Sequence, residues 1–274
     1  MKILQINSVF QTGSTGKIVN DIHNILIDKG HQSFVAYGRK YHKNTSDTIK
    51  IGRQIDIYFH VILTRLTDRH GFGSKISTYQ FLERIKHIDP DIIHLHNIHG
   101  YYINIELLFE FLNQYSIPVV WTLHDCWPFT GHCTNFTRIN CNKWETVCNN
   151  CPQTKEYPKS FFIDNSQENY YKKREIFCSI NNMLIISPSK WLTGLINKSY
   201  LKKYSTKTIN NGIDVKLYKQ RESKFRQTYN LEEKFIILGV ANQWKINKGF
   251  YHFIELSKIL KHNQKIVLVG LSKK

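Results

Sequence analysis

The chain has 274 residues, 41% of them hydrophobic, enough for one large domain or two modest ones with a real core, which excludes a disordered segment as the default. Lys and Arg outnumber Asp and Glu by 38 to 21, and the net charge of +17 favours phosphorylated substrates, polyanions or anionic lipid while selecting none of them. Met1-Lys2 leads directly into an apolar strand and no apolar run reaches the ~18 residues of a membrane span, so a cytoplasmic protein is expected, its cysteines thiols or metal ligands before disulfides.

In chain order, a strand is predicted over Lys2 to Asn7, then the glycine loop Thr12-Gly13-Ser14-Thr15-Gly16, then a helix carried by Ile18, Ile22, Ile25 and Leu26. Gly13 and Gly16 let the backbone approach a ligand, and the helix start turns free amides to the same place, so a phosphate fits. The same glycine pair also makes a ligand-free turn, and the spacing of a P-loop is absent. The stretch Ile55 to Leu66, with Arg53, Arg65 and Arg69 around it, reads equally as a core helix or as a helix lying on a membrane surface.

Further strands are predicted over Ser33 to Tyr37, Asp91 to His96, Pro118 to Leu123 and Met183 to Ser187, with helices over Ser77 to Lys86 and Ile105 to Tyr115. Short apolar strands alternating with helices predict a doubly wound α/β sheet, whose ligands sit beyond the carboxyl ends of the strands. Three polar clusters fall at such ends: Gly13 to Gly16, His94 to Gly100, and His124-Asp125. An imidazole at His124 can hydrogen-bond a sugar hydroxyl or move a proton, or it can be structural.

Cys133, Cys141, Cys148 and Cys151 crowd one segment and end in a CxxC, a spacing that can close a structural zinc site, with Cys126 and His132 as alternative ligands; unmetallated thiols and redox work are the other readings. A short strand over Thr208 to Asn211 runs into Asn211-Gly212-Ile213-Asp214. Near the end the pattern starts again: strand Phe235 to Val240, loop Ala241 to Gly249, helix Phe250 to Leu260, strand Lys265 to Gly270. Lys245 and Lys248 precede that helix, where they would meet an anion such as a diphosphate or stay solvated. Two such units facing each other would clamp a charged ligand. The boundary is expected after residue 205, giving domain 1–205 with a cysteine-rich insertion at 126–152, and domain 206–274.

Together Gly13-Ser14-Thr15-Gly16-Lys17, Asp91 to Asn97, His124 to Cys133, Cys148 to Pro152, Asn210 to Asp214 and Lys248-Gly249 resemble glycosyltransferase family 4 of the GT-B fold, in its bacterial polysaccharide and lipopolysaccharide branch. The resemblance implies a retaining enzyme that moves a sugar from a nucleotide diphosphate sugar to a cell-surface glycan or lipid-linked acceptor, with no metal or other cofactor in catalysis, peripheral membrane contact and no nucleic acid partner. It puts His124 on the transferring sugar, Lys248 on the leaving diphosphate, and Gly13, Gly16, Asn211, Gly212, Asp214 and Lys245 around the donor. Asn242 stands where the family commonly has an arginine, and the family's paired glutamates are expected beyond Lys274, so the resemblance implies a truncated member. The alternative from another class is a zinc-stabilised, non-catalytic module binding anionic glycan or nucleic acid.

Overall fold

Lys2–Val9 forms β1, and five consecutive residues in it are buried, as in a strand covered on both faces. The computed structural model, which describes residues 1–40, 46–242, 244 and 248–271, places β1 near the middle of a seven-stranded parallel sheet. From β1 the chain passes through α1 (Gly13–Asp28), β2 (Gln32–Arg39), β3 (Thr48–Lys50), α2 (Gln54–Thr67), α3 (Lys75–Ile88), β4 (Ile92–Leu95), α4 (Ile105–Tyr115) and β5 (Val119–Thr122). After the cysteine-rich segment come α5 (Ser166–Phe177), β6 (Met183–Ser187), α6 (Lys190–Ile196) and β7 (Thr206–Thr208).

The strand order is β3-β2-β1-β4-β5-β6-β7. It reverses direction between β1 and β4, the switch point where open α/β sheets leave a crevice at their carboxyl edge. Register is set by buried aliphatic pairs such as Leu4 against Ile93, and the core continues through Ile103, Leu108, Phe109, Trp121, Phe177 and Ile185. Asn104 starts α4 by accepting the Leu107 amide at 3.0 Å while its own Nδ2 donates to the Phe72 carbonyl at 2.7 Å, so one side chain both caps the helix and ties down the loop before α3.

The chain divides into two compact units, Met1–Gly212 and Ile213–Lys274. The division falls after Gly212 rather than after residue 205, because β7 pairs with β6 from Ile185 against Thr206 onward and belongs to the edge of the first sheet. In the second unit α7 (Phe225–Thr228) precedes β8 (Phe235–Val240), α8 (Phe250–Ser257) and β9 (Gln264–Val269), with β8 and β9 parallel from Phe235 opposite Gln264 to Val240 opposite Val269. Helix α5 had no apolar signature: its sequence is mostly polar, yet Tyr170, Lys173 and Phe177 are buried.

Candidate active site at the carboxyl edge of the sheet

The glycine segment is more helical than its sequence suggests. Thr12 is the extended residue before α1, Gly13 opens the helix with φ +67°, and Gly16 lies inside its first turn. A Cβ on Gly13 would meet nothing within 4 Å, so the space beside it is open. A Cβ on Gly16 would stand 3.3 Å from the Gln11 amide nitrogen and the Phe10 carbonyl carbon, so this glycine lets α1 sit tightly on the chain leaving β1. The first turn of α1 has no side-chain cap and no acidic residue, which leaves its amides and positive dipole end uncompensated.

Asn7, fully buried near the end of β1, ties this helix start to the next strand. Its Nδ2 donates to the Val9 carbonyl at 2.7 Å and to Thr15 Oγ1 at 3.5 Å, and its Oδ1 accepts the Asn97 amide at 3.2 Å. The residue after β4, His96, shares a hydrogen bond of 3.1 Å between its Nδ1 and His124 Nε2, and the two rings stack 5.4 Å apart. The three polar clusters expected at strand ends are thereby brought to one edge of the sheet, at its switch point.

Burial keeps these imidazoles neutral. Desolvation pulls His124 down to about 4 in spite of the Asp125 carboxylate beside it, His94 to about 4, and His96 well below its ordinary value. His94 is held by Thr122 Oγ1 at 2.8 Å, whereas buried His96 Nε2 has no partner among the described residues. With its Nε2 engaged by His96, neutral His124 keeps Nδ1, donor or acceptor according to tautomer, for a sugar hydroxyl.

Beside this pair stands a second constellation, whose His99 and Asp125 fell within the expected strand-end clusters but whose pairing, with Tyr157, was not foreseen. His99 Nε2 and Asp125 Oδ2 are 2.8 Å apart, the other carboxylate oxygen accepts the Trp127 amide at 3.0 Å, and His99 Nδ1 lies 3.3 Å from the Tyr157 hydroxyl. Burial would raise the Asp125 pKa, but its interactions with His99 and the Trp127 amide outweigh that and hold it below the usual carboxylate value. His70 accepts the Gly100 amide at 3.2 Å and packs on Tyr101, while His60 accepts the Gly71 amide at 3.1 Å. The partners of the first pair are 28 residues apart and those of the second 26, so the signal for both was their place at strand ends and neither pairing was readable from spacing.

The cysteine segment is part of the main core. Phe129, Phe136 and Trp144 are buried there, with Phe136 and Trp144 stacked 4.9 Å apart. Cys133, Cys141, Cys148 and Cys151 line one cavity of about 20 Å³, all as free thiols. The Cys133 thiol hydrogen-bonds Cys151, which pushes Cys133 up and holds Cys151 down at about 7. Among the described residues no group of three or more His, Cys, Asp or Glu side chains is arranged to hold an ion, so the zinc expectation rests on spacing and the shared cavity. The segment is fastened to the first sheet's domain by a fully buried His132–Asp68 pair, and by Lys173, whose ammonium donates to the Trp127 carbonyl at 2.6 Å and lies 3.9 Å from the centre of its indole ring.

Of the remaining expected site residues, Asn211 and Gly212 end the first unit in exposed positions, and a Cβ on Gly212 would meet nothing within 4 Å. Asp214 belongs to the second unit and spends Oδ1 on the amides of Lys216 at 2.8 Å and Leu217 at 3.2 Å, a local turn. Lys248 is exposed directly before Gly249, which starts α8 at φ +75°. Lys245 lies outside the described residues.

Residues 16–217 match the family model of Glycosyltransferase Family 4. A protein of Escherichia coli strain K12 assigned as the colanic acid biosynthesis glycosyl transferase WcaC is 30% identical over 229 residues, covering 78% of this chain and 55% of its own length. The chain thus spans about half the length of the curated relative it matches. Among solved structures, sucrose-phosphate synthase from Thermosynechococcus elongatus superposes with a TM-score of 0.58 at 15% identity, over 99% of this chain and 63% of that one. Anabaena Alr3699/HepE, solved in complex with UDP and glucose, gives 0.55 at 17%, over 98% and 60%. These neighbours share the GT-B type of α/β fold. With the family model matching most of its length, the chain belongs to glycosyltransferase family 4.

Proposed function

We propose that this chain carries the acceptor-side domain and the opening of the donor-side domain of a retaining glycosyltransferase. It moves a sugar from a nucleoside diphosphate to a cell-surface glycan or lipid-linked acceptor, working in the cytoplasm at the inner face of the cell membrane. The observation that carries the reading is the gathering of the α1 start, His96 with His124, and Asp125 with His99 at one sheet edge beside the switch point.

In the reaction, the bond from the anomeric carbon to the diphosphate oxygen breaks with its electron pair leaving on phosphate. The acceptor oxygen then bonds to the same face of that carbon, and its proton goes to the departing phosphate. Neutral His124 hydrogen-bonds the transferring sugar, Asp125 and His99 hold the wall beside it, and the open amides of α1 at Gly13 favour the donor's negative charge. By family resemblance Lys248 and Lys245 neutralise the leaving diphosphate, and Asn211, Gly212 and Asp214 face the nucleotide. A zinc ion on Cys133, Cys141, Cys148 and Cys151 is a structural proposal outside catalysis. Metal analysis after purification without chelator supports it at about one equivalent per chain and removes it otherwise.

The test is nucleoside diphosphate release from a panel of nucleotide sugars. The reading expects slow, donor-selective release by the purified chain, lowered about 100-fold by Lys248→Ala, in line with the loss of one stabiliser of developing charge. Release that is equal for all donors and indifferent to that substitution contradicts it.

A further inference from the structure

Helix α2 is built inside out. The residues it buries are Ile57, His60 and Thr64, whereas its larger apolar side chains point outward. Ile55, Phe59, Ile62 and Leu66 form one outward stripe at helical spacing, flanked by Tyr58, and Phe59 is 65% exposed. A helix of a water-soluble domain ordinarily does the reverse.

The stripe is extended by a second segment. The Phe161 amide donates to the Arg65 carbonyl at 2.8 Å, which joins the chain at Phe161, Phe162 and Ile163 to the end of α2, and Phe162 is 80% exposed. Arg65 and Lys159 both lie over the Phe161 ring, at 5.1 and 5.6 Å from its centre. The acids nearby are already engaged. Asp56, the acid within α2, accepts the Arg53 amide at 2.6 Å at the helix start, Asp164 accepts the Cys151 and Ser166 amides at 2.5 and 2.9 Å, Glu156 is paired with Arg138 at 3.5 Å, and Glu168 is engaged by Arg69 at 2.9 Å.

We propose that this face, α2 with residues 159–163, docks on the surface of a bilayer containing anionic lipid. Aromatic and aliphatic side chains enter the acyl boundary while Arg65 and Lys159 meet lipid phosphates, the combination of apolar area and cationic rim that holds an interfacial helix. Charge complementarity decides the occupant. A second copy of the chain would bring the same two cations against themselves across a self-complementary contact, whereas an anionic surface pairs them, and the net charge of +17 adds long-range attraction. Among the described residues no helix is long and apolar enough to cross a membrane, so α2 lies along the surface. The inner side of the same helix carries His60 to the Gly71 and Gly73 amides next to His70 and Tyr101, so docking presents the edge that holds His99 and Asp125 to lipid-borne substrate. That last point rests on the proposed function; the docking itself does not.

The experiment is co-sedimentation of the full chain with vesicles of phosphatidylcholine alone and of phosphatidylcholine mixed with phosphatidylglycerol. The wild type is expected to bind the mixed vesicles in a salt-sensitive way. The pair Phe59→Ser with Phe162→Ser, and separately Arg65→Glu with Lys159→Glu, are each expected to lower the bound fraction about tenfold or more. The exposed Phe59 and Phe162 predict an unchanged melting temperature for the serine pair, and a nucleotide-sugar titration on the same preparations separates loss of docking from loss of donor binding. Wild-type binding that is absent, or that both double variants retain, overturns the proposal. So does lipid-independent dimerisation abolished by the serine pair.

Discussion

Histidine protonation gives the sheet edge a pH signature. His60 is held at about 3 and His94 and His124 at about 4, with His70 and His96 also well below the ordinary imidazole value, in each case chiefly through burial. Below about pH 6.5 the unfolded chain therefore takes up protons that the folded chain refuses, and stability falls with pH by up to about 1.4 kcal/mol per pH unit for each such histidine. His132 has the opposite sign. Burial lowers it, but Asp68 outweighs burial and raises it, so its contribution is present below the unfolded value and lost as pH rises through the folded one. Urea midpoints measured from pH 7 to pH 5 should drop steeply and continuously; a flat profile would show that the cluster is solvated. At this scale the sequence told only part of the story. His124 was legible because it follows an apolar strand, while the His99–Asp125–Tyr157 group was not, since it depends on how three loops converge.

Among elements, the strands that carry the site were the most legible, because short apolar runs flanked by polar residues have few other folds to adopt. Phe235 to Val240 and Met183 to Ser187 match β8 and β6 residue for residue. The helix α5 was invisible because its buried face contains a lysine whose stem packs on Trp127. The packing that supports the cysteine segment was hidden for a related reason: it comes from Phe129, Phe136 and Trp144, spaced without period. That support meets α5 very closely at Gly131, where a Cβ would stand 2.0 Å from the Ser166 carbonyl oxygen. Gly131→Ala should thus cost about 1–3 kcal/mol through forced displacement of α5, read as a lowered denaturant midpoint. An unchanged midpoint would show that the segment adjusts freely against the helix. Asn104→Ala should cost about 2 kcal/mol, since it removes the α4 cap and leaves the Phe72 carbonyl without its donor.

On the scale of the molecule, the sheet order and the family match agree on glycosyltransferase family 4, and the edge cluster is what the proposed nucleotide-sugar reading builds on. The alternative of a non-catalytic polyanion-binding module gains nothing from the family match or the fold. What the sequence could not reveal was the boundary, because β7 looks like the first strand of a new domain and is the last strand of the old sheet. Charge alone separates the two function classes poorly, since +17 attracts any anion. The most direct measurement is calorimetric titration of the full chain with nucleoside diphosphate sugars at two salt concentrations, comparing wild type with His124→Ala and Lys248→Ala. The account predicts one saturable site for a particular donor, little altered by salt and weakened about tenfold or more by each substitution. Heats that vanish at the higher salt, or that are the same for every nucleotide and both variants, would contradict it.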